Sequence, residues 1–223
     1  MLGMKEITRI SILSRRPVPM ASGHEDKAKV IIHKDFKKYD PSLLEELKDA
    51  QGCVWSLGVS QNSVNKTDYY DITHDYTMAA AEAFSTLHPD SPFTFVYVSG
   101  EGATQKPGMF TPLFGKVKGE TETSLLDFGN KTPNFNVYNV RPGGVDWTKH
   151  PEIHDYMPQQ AFYKRMLMPG LNALASGIMT PTQPLGKILT QLAMSKGAPL
   201  KGTDILAEGR IVPNVAIRRM AGL

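Results

Sequence analysis

Apolar and polar positions alternate between two periods along this chain, and the alternation of periods predicts the elements. Ile10-Ser11-Ile12-Leu13 is a β-branched, alternating segment that stops at Ser14-Arg15-Arg16-Pro17, as a strand running into a loop does. Val30-Ile31-Ile32 reads as a second strand. Asp40-Pro41 can then cap and open a short helix in which Leu43, Leu44 and Leu47 fall at helical spacing, ending near Gly52. Cys53 to Leu57 is a continuous apolar run closed by Gly58, the pattern of a strand covered on both faces. From Thr67 to Leu87, Tyr69, Ile72, Tyr76, Ala80, Ala83, Phe84 and Leu87 keep to one helical face. Phe93 to Ser99 is a strand between Pro92 and Gly100, Leu113 to Phe128 a helix, and Phe135 to Val140 a strand ended by Arg141-Pro142-Gly143-Gly144. Beyond it, helices are expected at Gln160 to Leu171 and Thr182 to Met194, with an apolar tail from Ile211 to Leu223.

Strands alternating with helices at this spacing predict βαβ units and a parallel sheet, an α/β fold of the doubly wound type. In such a sheet, ligands lie beyond the carboxyl ends of the strands. That rule gathers Ser14 to Arg16, Leu57 to Ser60, Ser99 to Gly102 and Arg141 to Gly144 along one edge. The organisation expected is a single domain over 1–223, with a core at about 9–146 and a small substrate-side region at about 147–223.

Composition narrows the functional classes. The 223 residues are 41% hydrophobic and 21% charged, and 25 basic against 22 acidic side chains leave a net charge of +3. So small and dispersed an excess argues against nucleic acid or an anionic membrane as partner. The lone Cys53 excludes an internal disulfide and a cysteine-rich zinc site, and points to a reducing, cytoplasmic compartment. No apolar stretch approaches the roughly 20 residues that span a bilayer, and no signal pattern opens the chain. The six histidines show no HExxH spacing, so no metal site is expected. A Gly-x-Ser-x-Gly elbow and a Walker loop are both missing, which removes the main support for hydrolase and NTPase chemistry.

Several strand ends carry residues with chemistry. Arg15 and Arg16, after Ser14, could grip a phosphate bidentately, such as the 2′-phosphate of NADP, or form a merely solvated basic loop. Asp35 and Phe36 follow the second strand and could border an adenine ring. Ser99 ends a strand and Lys118 sits on the next helix, so both can face one crevice. Gly143 and Gly144, after Arg141 and Pro142, would let backbone approach a flat ligand closely.

In order along the chain, Ile12-Leu13-Ser14-Arg15-Arg16-Pro17, Trp55-Ser56-Leu57-Gly58-Val59-Ser60, Asp75-Tyr76, Tyr97-Val98-Ser99-Gly100-Glu101-Gly102-Ala103, Val117-Lys118-Gly119-Glu120 and Val140-Arg141-Pro142-Gly143-Gly144-Val145-Asp146 resemble the atypical short-chain dehydrogenase/reductases. That group includes the HIV Tat-interacting oxidoreductase and proteins called nucleoside-diphosphate-sugar epimerase-like. The resemblance runs over roughly Ile10 to Leu223. It implies a Rossmann domain for NAD or NADP, with Arg15 and Arg16 favouring NADP. It also implies that Leu57, Gly58 and Val59 flank the cofactor ribose and that the loop of Arg141, Pro142, Gly143 and Gly144 lies beside the nicotinamide. Ser99 would position a carbonyl, and Lys118 would act as the family's lysine.

Two departures qualify what the resemblance implies. Four residues before Lys118, where the family places its proton-donating tyrosine, stands Phe114. The family's opening strand and Gly-x-x-Gly-x-x-Gly turn have no counterpart, a stretch of about 25 to 30 residues by the usual lengths of a βαβ unit. A sheet without that central strand is left with open edges or joins the two flanking strands directly. The functions that follow are an NADP-dependent oxidoreductase or epimerase-like enzyme on a small carbonyl or hydroxyl compound, a non-catalytic cofactor-sensing or interaction module, and an inactive truncated form. A small-molecule substrate is the expected partner, and a homo-oligomer is left open.

Overall fold

The computed structural model describes residues 1–156 and 177–223. Strand β1 (Ile10–Ser14) pairs in parallel with β2 (Ala28–Ile32), and the short helix α1 (Pro41–Leu47) follows. Strand β3 (Gly52–Trp55) opens a second parallel sheet with β4 (Phe93–Val98), β5 (Phe135–Val140) and β8 (Ile211–Val212), in the order β3-β4-β5-β8. Between β3 and β4 run α2 (Lys66–Tyr70), a π-helical turn at Asp71–Asp75 and α3 (Tyr76–Ser85); α4 (Leu113–Lys131) joins β4 to β5. After β5 come β6 (Gly144–Asp146), then β7 (Met179–Pro181), α5 (Thr182–Met194), β8 and α6 (Asn214–Met220), with β6 and β7 forming a small parallel pair. The α/β class and its parallel sheet are as the periodicity predicts.

The two larger sheets run in one sense. Arg9, just before β1, is ion-paired at 3.0 Å with Asp49, just before β3, and Phe36, just after β2, meets Trp55 at the end of β3 with ring centroids 5.9 Å apart. Yet β1 and β3 are not paired with each other. Of the two outcomes expected for a sheet lacking the family's central strand, open edges is the one observed. It also corrects the expectation for β3. The strand starts and ends earlier than the apolar run Cys53 to Leu57, and Gly52, Cys53 and Val54 are only half-buried, because one of its edges meets no strand among the described residues.

Strand β4 has β3 and β5 on its two sides and helices on both faces, so Phe93 to Tyr97 are all buried. Its alternation sorts the core in two. Phe93, Phe95 and Tyr97 join Phe36, Trp55, Phe84 and Leu125 on one face, while Val96 packs with Leu185, Ile188, Leu192 and Ile217 on the other. The C-terminal residues expected on the substrate side therefore divide. Helices α5 and α6 and strand β8 complete the main body because their apolar faces close the second core, whereas β7 with its approach, paired with β6, lies near the strand ends. The helix expected at Gln160 to Leu171 lies outside the described residues. The long helix expected from Thr67 to Leu87 runs from Lys66 to Ser85, with a π turn at Asp71–Asp75 inside it.

Candidate functional site

Helix α4 lies unusually close to the loop after β4, and two glycines permit it. A Cβ on Gly119 would stand 1.9 Å from the Thr104 carbonyl oxygen, and one on Gly115 would stand 2.6 Å from that of Gly102. The amide of Phe114 in the first turn donates to Gln61 Oε1 at 2.8 Å, tying the helix start to the loop after β3. These contacts set Lys118 against the end of β4, where its Nζ donates to the carbonyl oxygens of Ser99 and, at 3.5 Å, of Val98. Burial pushes the Lys118 pKa below its ordinary value, and the nearby Glu122 carboxylate offsets only part of that.

Ser99 is 3% exposed, and its Oγ has no hydrogen-bond partner among the described residues. A buried hydroxyl without a partner is uncommon, since leaving it unmade costs about 1–3 kcal/mol. Ser99 is among the residues lining a cleft of about 490 Å³, with Leu57, Gly58, Lys118, Pro142, Gly143, Gly144 and Val145. A neighbouring cleft of about 310 Å³ shares Leu57, Gly58 and Lys118 and adds Val59, Thr73 and Tyr97. No atom lies within 4 Å of where a Gly58 Cβ would be, so the cleft is open there to a flat ligand. Gly143 is needed for a different reason: a Cβ there would stand 2.2 Å from the Ile178 carbonyl oxygen.

The structure thus brings together Ser99, Lys118, Leu57, Gly58, Val59, Pro142, Gly143 and Gly144. It places the others elsewhere. Arg141 turns inward, where Nε donates to Glu122 Oε1 at 2.8 Å and Nη2 to Oε2; the Glu122 side chain is fully buried and holds the guanidinium pKa above its usual value. The Phe36 ring, expected against an adenine, is 2% exposed and packs on His33 and Trp55, because the core needs an aromatic there. Asp35 remains exposed and accepts from the Lys37 amide. Ser14 Oγ accepts from the Arg16 amide at 3.2 Å, and Arg15 and Arg16 project into solvent from the same sheet edge with no ion pair among the described residues. Phe114 rests against Gly102 instead of lining either cleft.

Some site residues carried no expectation. Tyr97 stands two residues before Ser99 and so shares its face of β4, a signal the strand period could have given. Asn214 could not have been found that way. Its Oδ1 accepts from the Gly143 amide at 2.9 Å and from Thr180 Oγ1 at 2.6 Å, and its Nδ2 donates to the Ile178 carbonyl oxygen at 3.0 Å, contacts that span up to 71 positions. Among the described residues no group of His, Cys, Asp and Glu could hold a metal ion.

No protein-family model matches the chain. It is 30% identical over 241 residues to Leucinostatins biosynthesis cluster protein T of Purpureocillium lilacinum, covering 98% of this chain and 87% of that one. It is 42% identical over 155 residues to Botcinic acid biosynthesis cluster B protein 16 of Botryotinia fuckeliana, covering 66% of this chain and 98% of that one. Among solved structures, a short-chain dehydrogenase/reductase family oxidoreductase from Burkholderia thailandensis superposes with a TM-score of 0.62 at 11% identity, over 92% of this chain and 80% of that one. The Helicobacter pylori ADP-L-glycero-D-manno-heptose-6-epimerase gives a TM-score of 0.54 at 13% identity, and the chain spans 66% of its length and 87% of its own. The chain thus belongs with these fungal biosynthesis-cluster proteins and has the Rossmann-like fold of the short-chain dehydrogenase/reductases that its ordered motifs from Ile12 to Asp146 resemble.

Proposed function

We propose that the chain binds a nicotinamide dinucleotide, NADP(H) in preference to NAD(H), and reduces the carbonyl of a small metabolite. The observation that carries this reading is an open cleft lined by Lys118, whose Nζ is held on the Ser99 carbonyl oxygen, and by Ser99, whose buried hydroxyl has no partner among the described residues. The residues present suit such a group in two places. Gly58 leaves room for a flat ring, and Arg15 and Arg16 are free to take a terminal phosphate. When bound, a reduced nicotinamide supplies a hydride to the carbonyl carbon.

The chain's own residues do the rest. Ser99 Oγ donates a hydrogen bond to the carbonyl oxygen and fixes its orientation. Lys118 uses two of its three N–H bonds on the Val98 and Ser99 carbonyls, and the third can give a proton to the oxygen as it becomes an alkoxide. Burial makes this ammonium a stronger acid than a free lysine, which suits it to replace the tyrosine whose place Phe114 occupies.

Calorimetric titration with NADPH and NADH tests binding, and single-turnover NADPH oxidation with a panel of ketones and aldehydes tests chemistry. NADPH is expected to bind more tightly, with the preference lost in an Arg15→Glu, Arg16→Glu variant. Lys118→Met is expected to keep NADPH binding and lose turnover by about 10²- to 10⁴-fold, the usual worth of general acid catalysis. Failure of either dinucleotide to bind overturns the reading.

A further inference from the structure

We infer that the cleft selects an uncharged, apolar carbonyl compound and rejects nucleotide sugars; this rests on the cofactor reading above and assigns the substrate class of the same site. Val98, Val145 and Ile178 are aliphatic residues of the cleft lining. Val145 is 39% exposed and Ile178 is 59% exposed, so two large aliphatic side chains are held toward water at the mouth. Isolated exposed apolar residues are ordinary, whereas a pair lining one cavity together with a few polar groups is the composition of a small-molecule site.

The rim is braced. Pairing of β6 with β7 sets Val145 opposite Thr180, and Asn214, 5% exposed, holds Gly143, Thr180 and Ile178 through three hydrogen bonds of 2.6 to 3.0 Å. Exposure of Val145 and Ile178 is therefore imposed by a fully engaged buried amide rather than by a slack loop.

Charge at the cleft points the same way. A nucleoside diphosphate sugar brings two phosphate charges, which positively charged side chains at the substrate side of a cleft stabilise and carboxylates oppose. Among the described lining residues only Lys118 and Glu101 are charged. Lys118 is committed to carbonyl oxygens, and Glu101, whose Oε2 accepts from the Asn214 amide at 3.2 Å, would repel a diphosphate. The nearby guanidiniums face elsewhere: Arg141 is held by Glu122, and Arg218 donates to the Met179 carbonyl oxygen.

The test is titration of the full chain, with and without saturating NADPH, using 2-butanone, 2-hexanone, 2-octanone and UDP-glucose, followed by calorimetry. Each added methylene is expected to tighten ketone binding by about two- to fourfold, from the roughly 0.8 kcal/mol that burying a methylene contributes, and UDP-glucose is expected not to bind. In Val145→Asp and Ile178→Asp, with native circular dichroism spectra confirming the fold, the chain-length dependence is expected to flatten. UDP-glucose binding, ketone affinity independent of length, or no ketone binding at all overturns the inference. Length-dependent ketone binding in a chain that ignores NADPH leaves the apolar selection standing and overturns the cofactor reading instead.

Discussion

Replacing Glu122 by Gln removes one charge from the ion pair that fastens α4 to the end of β5. The Glu122 side chain is fully buried and that of Arg141 is 13% exposed, with both carboxylate oxygens engaged by the guanidinium. Gln keeps the shape and one acceptor, but its amide N–H groups then face guanidinium donors, and Arg141 cannot shed its proton. Breaking a buried pair from one side costs about 3–5 kcal/mol, a large share of the roughly 5–15 kcal/mol that holds an ordinary domain together. At about 2–4 °C per kcal/mol for a chain of this size, the melting temperature is expected to fall by roughly 6–20 °C. Urea unfolding of Glu122→Gln, Glu122→Leu, Arg141→Met and the Glu122→Leu, Arg141→Met double variant measures the cost, the last three closing a cycle with the parent. The double variant is expected within about 1 kcal/mol of the parent, because an apolar pair leaves no charge to desolvate. A loss below about 1 kcal/mol in Glu122→Gln, or a double variant no better than the single, would refute the reasoning.

Four further outcomes are expected. Phe114 rests against Gly102 and lines neither cleft, so Phe114→Tyr should leave the rate of stopped-flow NADPH oxidation largely unchanged; a large rise would mean that a phenol there reaches the carbonyl and would count against Lys118 as the proton donor. With Lys118 as the proposed proton donor, and its pKa below the ordinary lysine value of 10.5, the single-turnover reduction rate should be flat at low pH and fall as pH rises through that lowered pKa; Lys118→Met should remove this limb. Gly119→Ala drives a methyl group into the Thr104 carbonyl and should destabilise the chain by about 1–3 kcal/mol in urea unfolding, whereas Gly186→Ala, whose Cβ would meet nothing within 4 Å, should not. In parallel strands the bonded amides alternate, and the Ile10 amide and Gln51 carbonyl oxygen face β2 and β4, so those of Ser11, Leu13, Gly52 and Val54 face the open edges. Hydrogen exchange should be faster there than at Val96 or Tyr97 in the middle of β4; equal protection would mean that the edges are covered.

Much of the fold was legible because it depends on short-range periodicity. The β-branched run at Ile10 to Leu13, the alternation from Phe93 to Val98 and the helical spacing after Leu113 each require one environment, and each adopts it. The strand-end rule likewise gathered Leu57, Gly58, Ser99, Gly143 and Gly144, since a parallel sheet leaves its carboxyl ends on one side. Sequence alone therefore determined the α/β class, the side of the sheet that carries the site and the absence of a phenol at position 114.

The remainder depended on which groups meet across long separations. Arg141 and Phe36 have residue types suited to a cofactor, but Glu122 and Trp55 claim them, and nothing local to either position announces those partners. Asn214 is an ordinary residue at a helix start until β8 carries it beneath Gly143 and Ile178. The open edges of β1 and β3, the depressed Lys118 pKa and the aliphatic rim were decided by tertiary structure, because pairing, burial and the meeting of distant side chains are properties of the packed molecule and not of any one segment.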